Sequence, residues 1–342
     1  MRIVFFETEA MEDRYFEKHL SGHDLQFFHD TLTVSSLEKL DPVDVLSTFM
    51  YSDVDVAVLD ALPDLKLVAT RSTGFDHVAL DECTSRGIVV SNVPSYGDNT
   101  VAEHTFALIL TLARRLYEGC LNRIEGNFSA RDLTGFDLKG KTIGVVGAGN
   151  IGINVVRIAR GFGMTILVYD VKPKESLAEA LDFRYVPLER LLNDSDIVSL
   201  HVPYNDATHH LIDREKFAMM RQGAYLINTA RGGVVDQEAL LEALDDGTLA
   251  GAGLDVLQGE EYIKEEKSVL SDSERTKALK AVGQNALILQ RNNVVYTPHI
   301  GFNSREAMER ILETTVDNIL GFASDEPRNV VNPNVLEHRN KT

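Results

Sequence analysis

Short apolar runs alternate with amphipathic stretches from one end of the chain to the other. The runs, rich in branched side chains, predict buried strands, and the stretches between them predict helices. Such an alternation is typical of βαβ units, whose strands form a parallel sheet. In roughly the first hundred residues the predicted strands are Ile3–Phe6, Val43–Ser47, Leu67–Thr70 and Ile88–Ser91, and the predicted helices include Val54–Leu62 and Leu80–Arg86.

A second alternation follows a long helix, which an apolar stripe without an early helix breaker predicts over Thr100–Glu125. Gly126, Gly135 and Gly140 then predict a loop. The strands predicted after this loop are Thr142–Val146, Thr165–Tyr169, Ile197–Leu200, Ala224–Ile227, Ala252–Leu254 and Val294–Tyr296, with helices over Ile151–Phe162, Leu188–Leu192, Gln237–Leu244 and Ser304–Phe322.

The two alternations predict an α/β protein with two Rossmann-like domains, each a doubly wound parallel sheet. The length of 342 residues agrees with about two domains. Because no Pro-rich or Ser-rich linker is present, we expect the first boundary at a strand-to-helix passage near Asn92–Thr100.

Composition excludes several classes of protein. The 34 Lys and Arg against 52 Asp and Glu give a net charge of −18, which disfavours binding to nucleic acid or to a membrane surface. Cys83 and Cys120 are too few for a disulfide framework or a cysteine metal site, so we expect no metal and a reducing cytoplasm. The longest apolar stretch, near Thr105–Ala113, is far shorter than the ~20 residues that span a bilayer.

The segment Gly147–Gly152 matches the glycine pattern G-x-G-x-x-G between a predicted strand and a predicted helix. In this context Gly147 permits a tight turn, Gly149 lets a pyrophosphate approach the backbone, and Gly152 lets the helix pack on the strand. The pyrophosphate would then meet the free N–H groups at the start of the helix. We therefore predict a bound dinucleotide.

The next strand ends at Asp170, 18 residues after Gly152. A carboxylate here accepts hydrogen bonds from the adenosine ribose and repels a 2′-phosphate, which favours NAD over NADP. Lys172 and Lys174 lie just beyond and act against this preference.

If the dinucleotide serves hydride transfer to a 2-oxo acid, the site needs a cation for the carboxylate and a group with a pKa near neutral that can protonate the carbonyl oxygen. Arg231 and His299 each follow a predicted strand, at the sheet edge where ligands bind. Asp255 ends another strand, and Glu260 follows five residues later. His201 is placed as well as His299, so position alone does not choose between the two histidines.

A series of motifs, taken together, resembles the D-isomer-specific 2-hydroxyacid dehydrogenase family. The series runs in the family's order and covers about residues 45 to 305. Its members are Arg71–Asp76, Asn92–Tyr96, Val101–His104, the glycine pattern, His201–Pro203, Asn228–Gly232, Gly253–Val256 and Thr297–His299.

The resemblance implies a role for each candidate. Arg231 would bind the substrate carboxylate and carbonyl, His299 would donate the proton during reduction, and Glu260 would pair with His299. His201 would then be structural or close to the cofactor. Backbone N–H groups of Thr73 and Gly74 would help to hold the carboxylate. Asp255 would approach the nicotinamide carboxamide, and the residues lining NAD would be Asn150, Ile151, Val202, Pro203, Thr208, Thr229 and Ala230.

Within the family the pattern is similar to that of D-lactate dehydrogenases, which implies pyruvate as the substrate. Phe302, three residues after His299, and Tyr96 resemble the aromatic residues of that pocket, and Phe49 is the third candidate. Packing in a core is the alternative explanation for these aromatic side chains. The strongly charged segment Gly259–Lys280 also resembles the lactate type, although its composition by itself indicates a solvated surface helix.

The resemblance also implies the domain organisation. We expect the NAD-binding domain at residues 100–296, inserted into a substrate domain made of 1–99 and 297–342, with the site in the cleft between them. It further implies a homodimer that uses the helix over Thr100–Glu125.

Other functions remain open at this point. A glyoxylate or hydroxypyruvate reductase and a phosphoglycerate dehydrogenase belong to the same family, although the chain has no added C-terminal regulatory domain. A formate dehydrogenase would replace Glu260. An NAD-sensing transcriptional corepressor shares the fold and retains the catalytic triad, but no partner-binding extension is visible in the sequence.

We predict from Asp170 that NADH gives a higher kcat/KM than NADPH, because the carboxylate repels the 2′-phosphate. The measurement is the oxidation of each cofactor with the same 2-oxo acid. An equal or reversed ratio would contradict the prediction.

Overall fold

The chain folds as two compact units in a computed structural model, which describes residues 1–37, 40, 42–260 and 272–339, with side chains for all of these except 272–278 and 337–339. The first unit contains Met1–Tyr96 and the chain from Ser304 onward, and the second contains Gly97–Asn303. Of the charged segment Gly259–Lys280, residues 261–271 lie outside the described residues.

The first unit is built on a parallel sheet of five strands. These are β1 (Arg2–Phe6), β2 (Asp24–Phe28), β3 (Val45–Ser47), β4 (Leu67–Ala69) and β5 (Val89–Ser91). Their order in the sheet is β2-β1-β3-β4-β5. The inner strands β1, β3 and β4 are apolar except for Arg2 and Ser47, and all of their residues except Arg2 are buried, because helices cover both faces of the sheet. The helices before the second unit are α1 (Ala10–His19), α2 (Val34–Leu37), α3 (Val56–Ala61) and α4 (Leu80–Ser85).

The second unit contains a parallel sheet of seven strands. Its strands are β6 (Thr142–Val146), β7 (Thr165–Tyr169), β8 (Arg184–Tyr185), β9 (Ile197–Leu200), β10 (Ala224–Asn228), β11 (Leu249–Leu254) and β12 (Val294–Tyr296). Its helices are α5 (Asp98–Ala113), α6 (Leu116–Ile124), α7 (Asn150–Gly161), α8 (Glu175–Leu181), α9 (Leu188–Asp194), α10 (Arg214–Met219), α11 (Gln237–Asp245) and α12 (Asp272–Leu289).

The strand order of the second sheet, β12-β11-β10-β9-β6-β7-β8, reverses direction between β6 and β9. The chain moves outward from β6 to β8 on one side, then returns to β9 and continues outward on the other side. Ligands of doubly wound sheets bind at such a reversal, outside the carboxyl ends of the strands. Gly147 follows β6 and His201 follows β9 at this place. The predicted fold class, two doubly wound parallel sheets, is confirmed.

The chain ends in the first unit with α13 (Arg305–Ala323) and α14 (Asn334–Arg339). The hydroxyl of Ser304 accepts a hydrogen bond from the N–H of Ala307 and so caps the start of α13. Among the described helices, none has the length and apolar content that crossing a bilayer would require.

The long helix predicted over Thr100–Glu125 is wrong, because the chain forms two helices, α5 and α6, in this region. Arg115 between them has a φ of +49°, which no helix interior allows. The cause lies far along the chain. The N–H of Phe136 donates to the carbonyl of Ala113, and a Cβ built on Gly135 would lie 2.0 Å from the same oxygen. The last turn of α5 is therefore bonded to this distant loop.

The boundaries between the two units lie at Tyr96/Gly97 and Asn303/Ser304. From the sequence we expected these boundaries at 99/100 and 296/297. Gly97 is the N-cap of α5 and so belongs with that helix. Residues 297–303 belong with the second unit because three N–H groups of this loop donate to Asp255.

Candidate active site

The glycine loop after β6 has the geometry of a phosphate cradle. Gly147 has a φ of +100°, and a Cβ built on it would lie 2.5 Å from the carbonyl oxygen of His201. A Cβ on Gly152 would lie 1.9 Å from the Gly147 oxygen, so both positions require glycine. At Gly149, by contrast, a Cβ would meet nothing within 4 Å. Gly149 is also the N-cap of α7 and has no side chain to cap the helix. The loop therefore fits a dinucleotide pyrophosphate.

Asp170 lies at the end of β7 and is bonded to the glycine loop. Its Oδ2 accepts a hydrogen bond of 2.7 Å from the N–H of Ala148, and its Oδ1 accepts one of the same length from the N–H of Lys172. A carboxylate has about four acceptor positions, so it can still accept hydrogen bonds from ribose hydroxyls. Asp170 thus also fixes the loop that would receive the pyrophosphate.

The other residues predicted to line the cofactor follow β6, β9 and β10. Asn150 and Ile151 form the first turn of α7, and the Val202 side chain packs against Gly147. The Thr208 hydroxyl donates to the carbonyl of Pro203, which closes the turn after β9. After β10, the hydroxyls of Thr229 and Thr105 are 3.0 Å apart, and the N–H of Ala230 donates to the side chain of Asn228.

Arg231 lies in a turn after β10 that the Asn228 side chain holds in place. Oδ1 of Asn228 accepts a hydrogen bond from the N–H of Ala230, and Nδ2 of Asn228 donates to the carbonyl of Arg231. A Cβ on Gly232 would lie 2.1 Å from the carbonyl carbon of Leu257, so this turn packs directly on the backbone that follows β11. Our sequence reasoning missed Asn228 as a residue that shapes the turn, although Asn228 opens the Asn-Thr-Ala-Arg motif.

His299 and Glu260 form a closely paired dyad. The Nδ1–H of His299 donates to Oε1 of Glu260 over 2.7 Å, and the two side chains are only 18% and 15% exposed. In the described part of the chain, Nε2 on the other side of the ring has no donor or acceptor partner. The Phe302 ring lies edge-on to the imidazole, with 6.5 Å between the ring centroids. This arrangement can hold a proton on Nε2 for exchange with a ligand.

The backbone of His299 is in the left-handed region, with a φ of +56°. Such a conformation is strained for a residue with a side chain and persists only where the surroundings fix it. Asp255 does so, because its carbonyl accepts from the N–H of His299 and its carboxylate accepts from the N–H groups of Ile300 and Gly301.

The Asp255 carboxylate is buried and also accepts a 2.6 Å hydrogen bond from the Thr297 hydroxyl, and it lies 3.3 Å from Nε2 of His104. Burial alone would raise the pKa of this carboxyl. The hydrogen bonds from His104, Thr297 and the Gly301 N–H outweigh burial and hold the pKa of Asp255 below its ordinary value. Asp255 thus shapes the histidine loop, a role that the sequence did not suggest, and its approach to the carboxamide stays a prediction.

His201, the competing histidine, differs from His299 in its surroundings. Burial lowers the pKa of His201 to about 3, and its Nε2 is 2.8 Å from the hydroxyl of Ser199. His201 is therefore mostly uncharged at neutral pH, which argues against His201 as the proton donor. Its carbonyl packs on Gly147, next to the cofactor cradle.

In the first unit, Thr73 and Gly74 lie in the loop after β4. The Thr73 hydroxyl donates to the carbonyl of Val93, and the Asn92 side chain donates to the carbonyl of Thr73. In the described residues, the N–H groups of Thr73 and Gly74 donate to no other group. Two neighbouring N–H groups in a loop fixed by other bonds are suited to an anion.

The aromatic candidates of the first unit follow β3 and β5. The N–H of Phe49 donates to the Glu7 carboxylate over 2.9 Å, and the guanidinium of the buried Arg71 lies 5.8 Å from the Phe49 ring centre. Tyr96 is buried, and its carbonyl accepts from the guanidinium of Arg310. Phe49 and Tyr96 are thus held in place, whereas our sequence reasoning gave no role to Glu7.

Comparisons with known proteins agree with this geometry. Residues 106–301 match the family model described as D-isomer specific 2-hydroxyacid dehydrogenase, NAD binding domain. A glyoxylate reductase of Korarchaeum cryptofilum is 36% identical, with 99% of this chain and 98% of the relative covered. The D-lactate dehydrogenase of Escherichia coli is 31% identical, with coverage of 95% and 98%.

The chain belongs to the D-isomer-specific 2-hydroxyacid dehydrogenase family. Among solved structures, D-lactate dehydrogenase of Aquifex aeolicus, complexed with NAD and lactic acid, superposes with a TM-score of 0.84 at 35% identity and covers 96% of this chain and 99% of its own. The expected activity class is therefore confirmed. This member of the dehydrogenase family is an NAD-dependent oxidoreductase, and its second unit is the NAD-binding domain.

We predict that Glu260→Gln shifts the high-pH limb of reductive activity to lower pH. Reduction needs the imidazolium of His299, and removing the adjacent negative charge destabilises that cation. The measurement is kcat/KM for a 2-oxo acid across pH.

Glu242→Gln is the matched control, because Glu242 pairs with Arg214 at an exposed site of the same unit. It removes one negative charge and should leave the limb in place. If Glu260→Gln also leaves the limb in place, the pairing does not govern proton donation.

Proposed function

We propose that the protein is a D-lactate dehydrogenase that reduces pyruvate to D-lactate with NADH. The observation that carries this proposal is the mostly buried pair of His299 and Glu260 with the Phe302 ring beside the imidazole. The pair supplies a proton at Nε2, and the aromatic ring offers an apolar surface for a small substituent on the reacting carbon.

The side chains divide the work of the reaction. NADH, when bound, supplies the hydride that goes to C2 of the substrate. Arg231 holds the carboxylate in a bidentate way and polarises the carbonyl, because its planar guanidinium matches that geometry. His299 gives its Nε2 proton to the carbonyl oxygen as the hydroxyl forms. Glu260 stabilises the imidazolium before transfer and keeps the remaining proton on Nδ1.

Thr73 and Gly74 of the first unit are proposed as further carboxylate donors through their N–H groups. Tyr96, Phe49 and Phe302 are proposed to surround the methyl group of pyruvate. Aromatic rings fill space at low entropic cost and exclude water, and both effects favour a methyl group over hydrogen. The D stereochemistry follows from membership of the family.

Glyoxylate reductase is the second candidate. Relatives of that name match nearly the full length of the chain, such as the one from Korarchaeum cryptofilum at 36% identity. Glyoxylate carries hydrogen where pyruvate carries a methyl group, so the two substrates differ by the group that Phe302 would contact. Their comparison therefore tests the pocket directly.

The experiment is NADH oxidation with pyruvate, 2-oxobutyrate, phenylpyruvate, hydroxypyruvate, glyoxylate and oxaloacetate. We expect the highest kcat/KM with pyruvate. Phe302→Ala should lower kcat/KM for pyruvate relative to glyoxylate by roughly tenfold, because one methyl group in an apolar pocket is worth about 1–3 kcal/mol. Phe128→Ala, at a ring that is 84% exposed, is the control.

A higher kcat/KM for glyoxylate than for pyruvate would support the second candidate. An unchanged ratio between the two substrates in Phe302→Ala would remove Phe302 from the pocket. No oxidation of NADH with any of the six acids would overturn the proposal as a whole.

We also propose that the protein is a homodimer that uses α6. Leu116, Tyr117, Leu121 and Ile124 on this helix are between 38% and 69% exposed, and three of them share one face at spacings of four and three residues. A contiguous apolar surface of this kind is typical of an interface.

Light scattering of the protein should give about twice the monomer mass. The double substitution Leu121→Glu and Ile124→Glu should reduce the measured mass to that of a monomer. A monomeric wild-type protein would contradict the proposal.

A further inference from the structure

Helix α12 begins within the charged segment Gly259–Lys280 and continues beyond it to Leu289. The proposed function gives this helix no role. One polar residue of this helix, Asn285, is completely buried. Buried polar side chains are costly unless they are bonded, so their partners indicate why they are present. The partners of Asn285 lie at the start of α11 and in the turn before Glu260.

The Asn285 side chain meets two groups. Its Oδ1 accepts a hydrogen bond of 2.6 Å from Nε2 of Gln237, which is the first residue of α11 and is also buried. Its Nδ2 donates over 3.2 Å to the backbone carbonyl of Gln258, and Nε2 of Gln237 donates to the same carbonyl over 3.2 Å. Two side-chain amides from two helices therefore bind one carbonyl, two residues before Glu260.

The same turn is held at two other points. Nε2 of His210 is 3.2 Å from Oε1 of the Gln258 side chain, and the N–H of Glu260 donates to the carbonyl of Leu257 over 3.3 Å. On the remaining side, Gly232 packs so closely that a Cβ there would lie 2.3 Å from the Gln258 nitrogen. The backbone leading to Glu260 is thus bonded on one side and packed on the other.

We propose that Gln237 and Asn285 position Glu260 for its pairing with His299, and that α12 contributes to the site by supplying Asn285. A carbonyl bound by two donors from separate helices cannot rotate, and its orientation limits the backbone angles of the next residues. Neutral amides do this without adding a charge that would compete with His299 for the Glu260 carboxylate. This inference rests on the proposed roles of His299 and Glu260.

The pH profile reports on this positioning because Glu260 is the carboxylate that is bonded to the imidazole of His299. Glu260 pairs with Nδ1 of His299, while Asp255, with His104 beyond it, bonds the backbone of the loop. Substitutions at Gln237 and Asn285 leave Asp255 and His104 unchanged. A moved limb in these variants therefore reports a changed pairing between Glu260 and His299.

The experiment uses Asn285→Leu in the full-length enzyme with NADH and pyruvate, or with the best acid of the panel. We expect kcat to fall about tenfold, because small misplacements of catalytic groups have effects of this size or larger. The KM for NADH should stay the same. The high-pH limb should move in the direction seen with Glu260→Gln and by a smaller amount.

Asn293→Leu is the matched control. The Asn293 side chain also donates to a backbone carbonyl of the second unit, that of Ala250, over 3.1 Å, but it does not touch the turn before Glu260. It should lower the melting temperature without moving the limb. Gln237→Met, of similar volume, is the second variant in case Asn285→Leu does not fold, and the same shift is expected.

The combined substitution of Asn285→Leu with Glu260→Gln separates positioning from a general structural effect. If Asn285 acts through Glu260, adding Asn285→Leu to Glu260→Gln should change neither kcat nor the limb much further. A further tenfold loss in the combined variant, or an unmoved limb in both Asn285→Leu and Gln237→Met, would overturn the proposal. An unmoved limb in Glu260→Gln itself would instead overturn the roles of Glu260 and His299.

Discussion

The buried carboxylate of Asp255 is the group on which the candidate active site depends most. It accepts hydrogen bonds from two backbone N–H groups and a hydroxyl of the loop that carries His299. Because its pKa is lowered, these bonds are complete at neutral pH and are lost only as the pH falls through the lowered value. The position of the imidazole, and with it the pairing with Glu260, follows from this one anion.

Much of the fold could be predicted from sequence because its strands are short, apolar and buried on both faces. The exceptions have physical reasons. Strand β2 at the edge of the first sheet is half exposed, and β8 has only two residues, so neither gives a continuous apolar run. The break between α5 and α6 is caused by the contact of Gly135 with Ala113, which no local pattern reveals.

In the candidate active site, too, residues of local motifs could be predicted, whereas residues that act through distant contacts could not. Arg231, His299 and the glycine loop belong to short contiguous motifs whose chemistry can be interpreted directly. The residues that support them are distant in sequence and ordinary in type. Gln237 and Asn285, for example, are separated by 48 positions and meet only because α11 and α12 pack together. Pairing of this kind depends on tertiary structure and leaves no periodic signal.

The left-handed backbone conformation of His299 lowers the stability of its loop, while the imidazole at this position is the proposed proton donor. A residue with a side chain costs on the order of 1 kcal/mol or more in that conformation, whereas glycine or asparagine adopts it readily. Either of these residues at position 299 would relieve the strain and would also remove the imidazole. Stabilising this enzyme by design should therefore begin at positions away from residues 297–303.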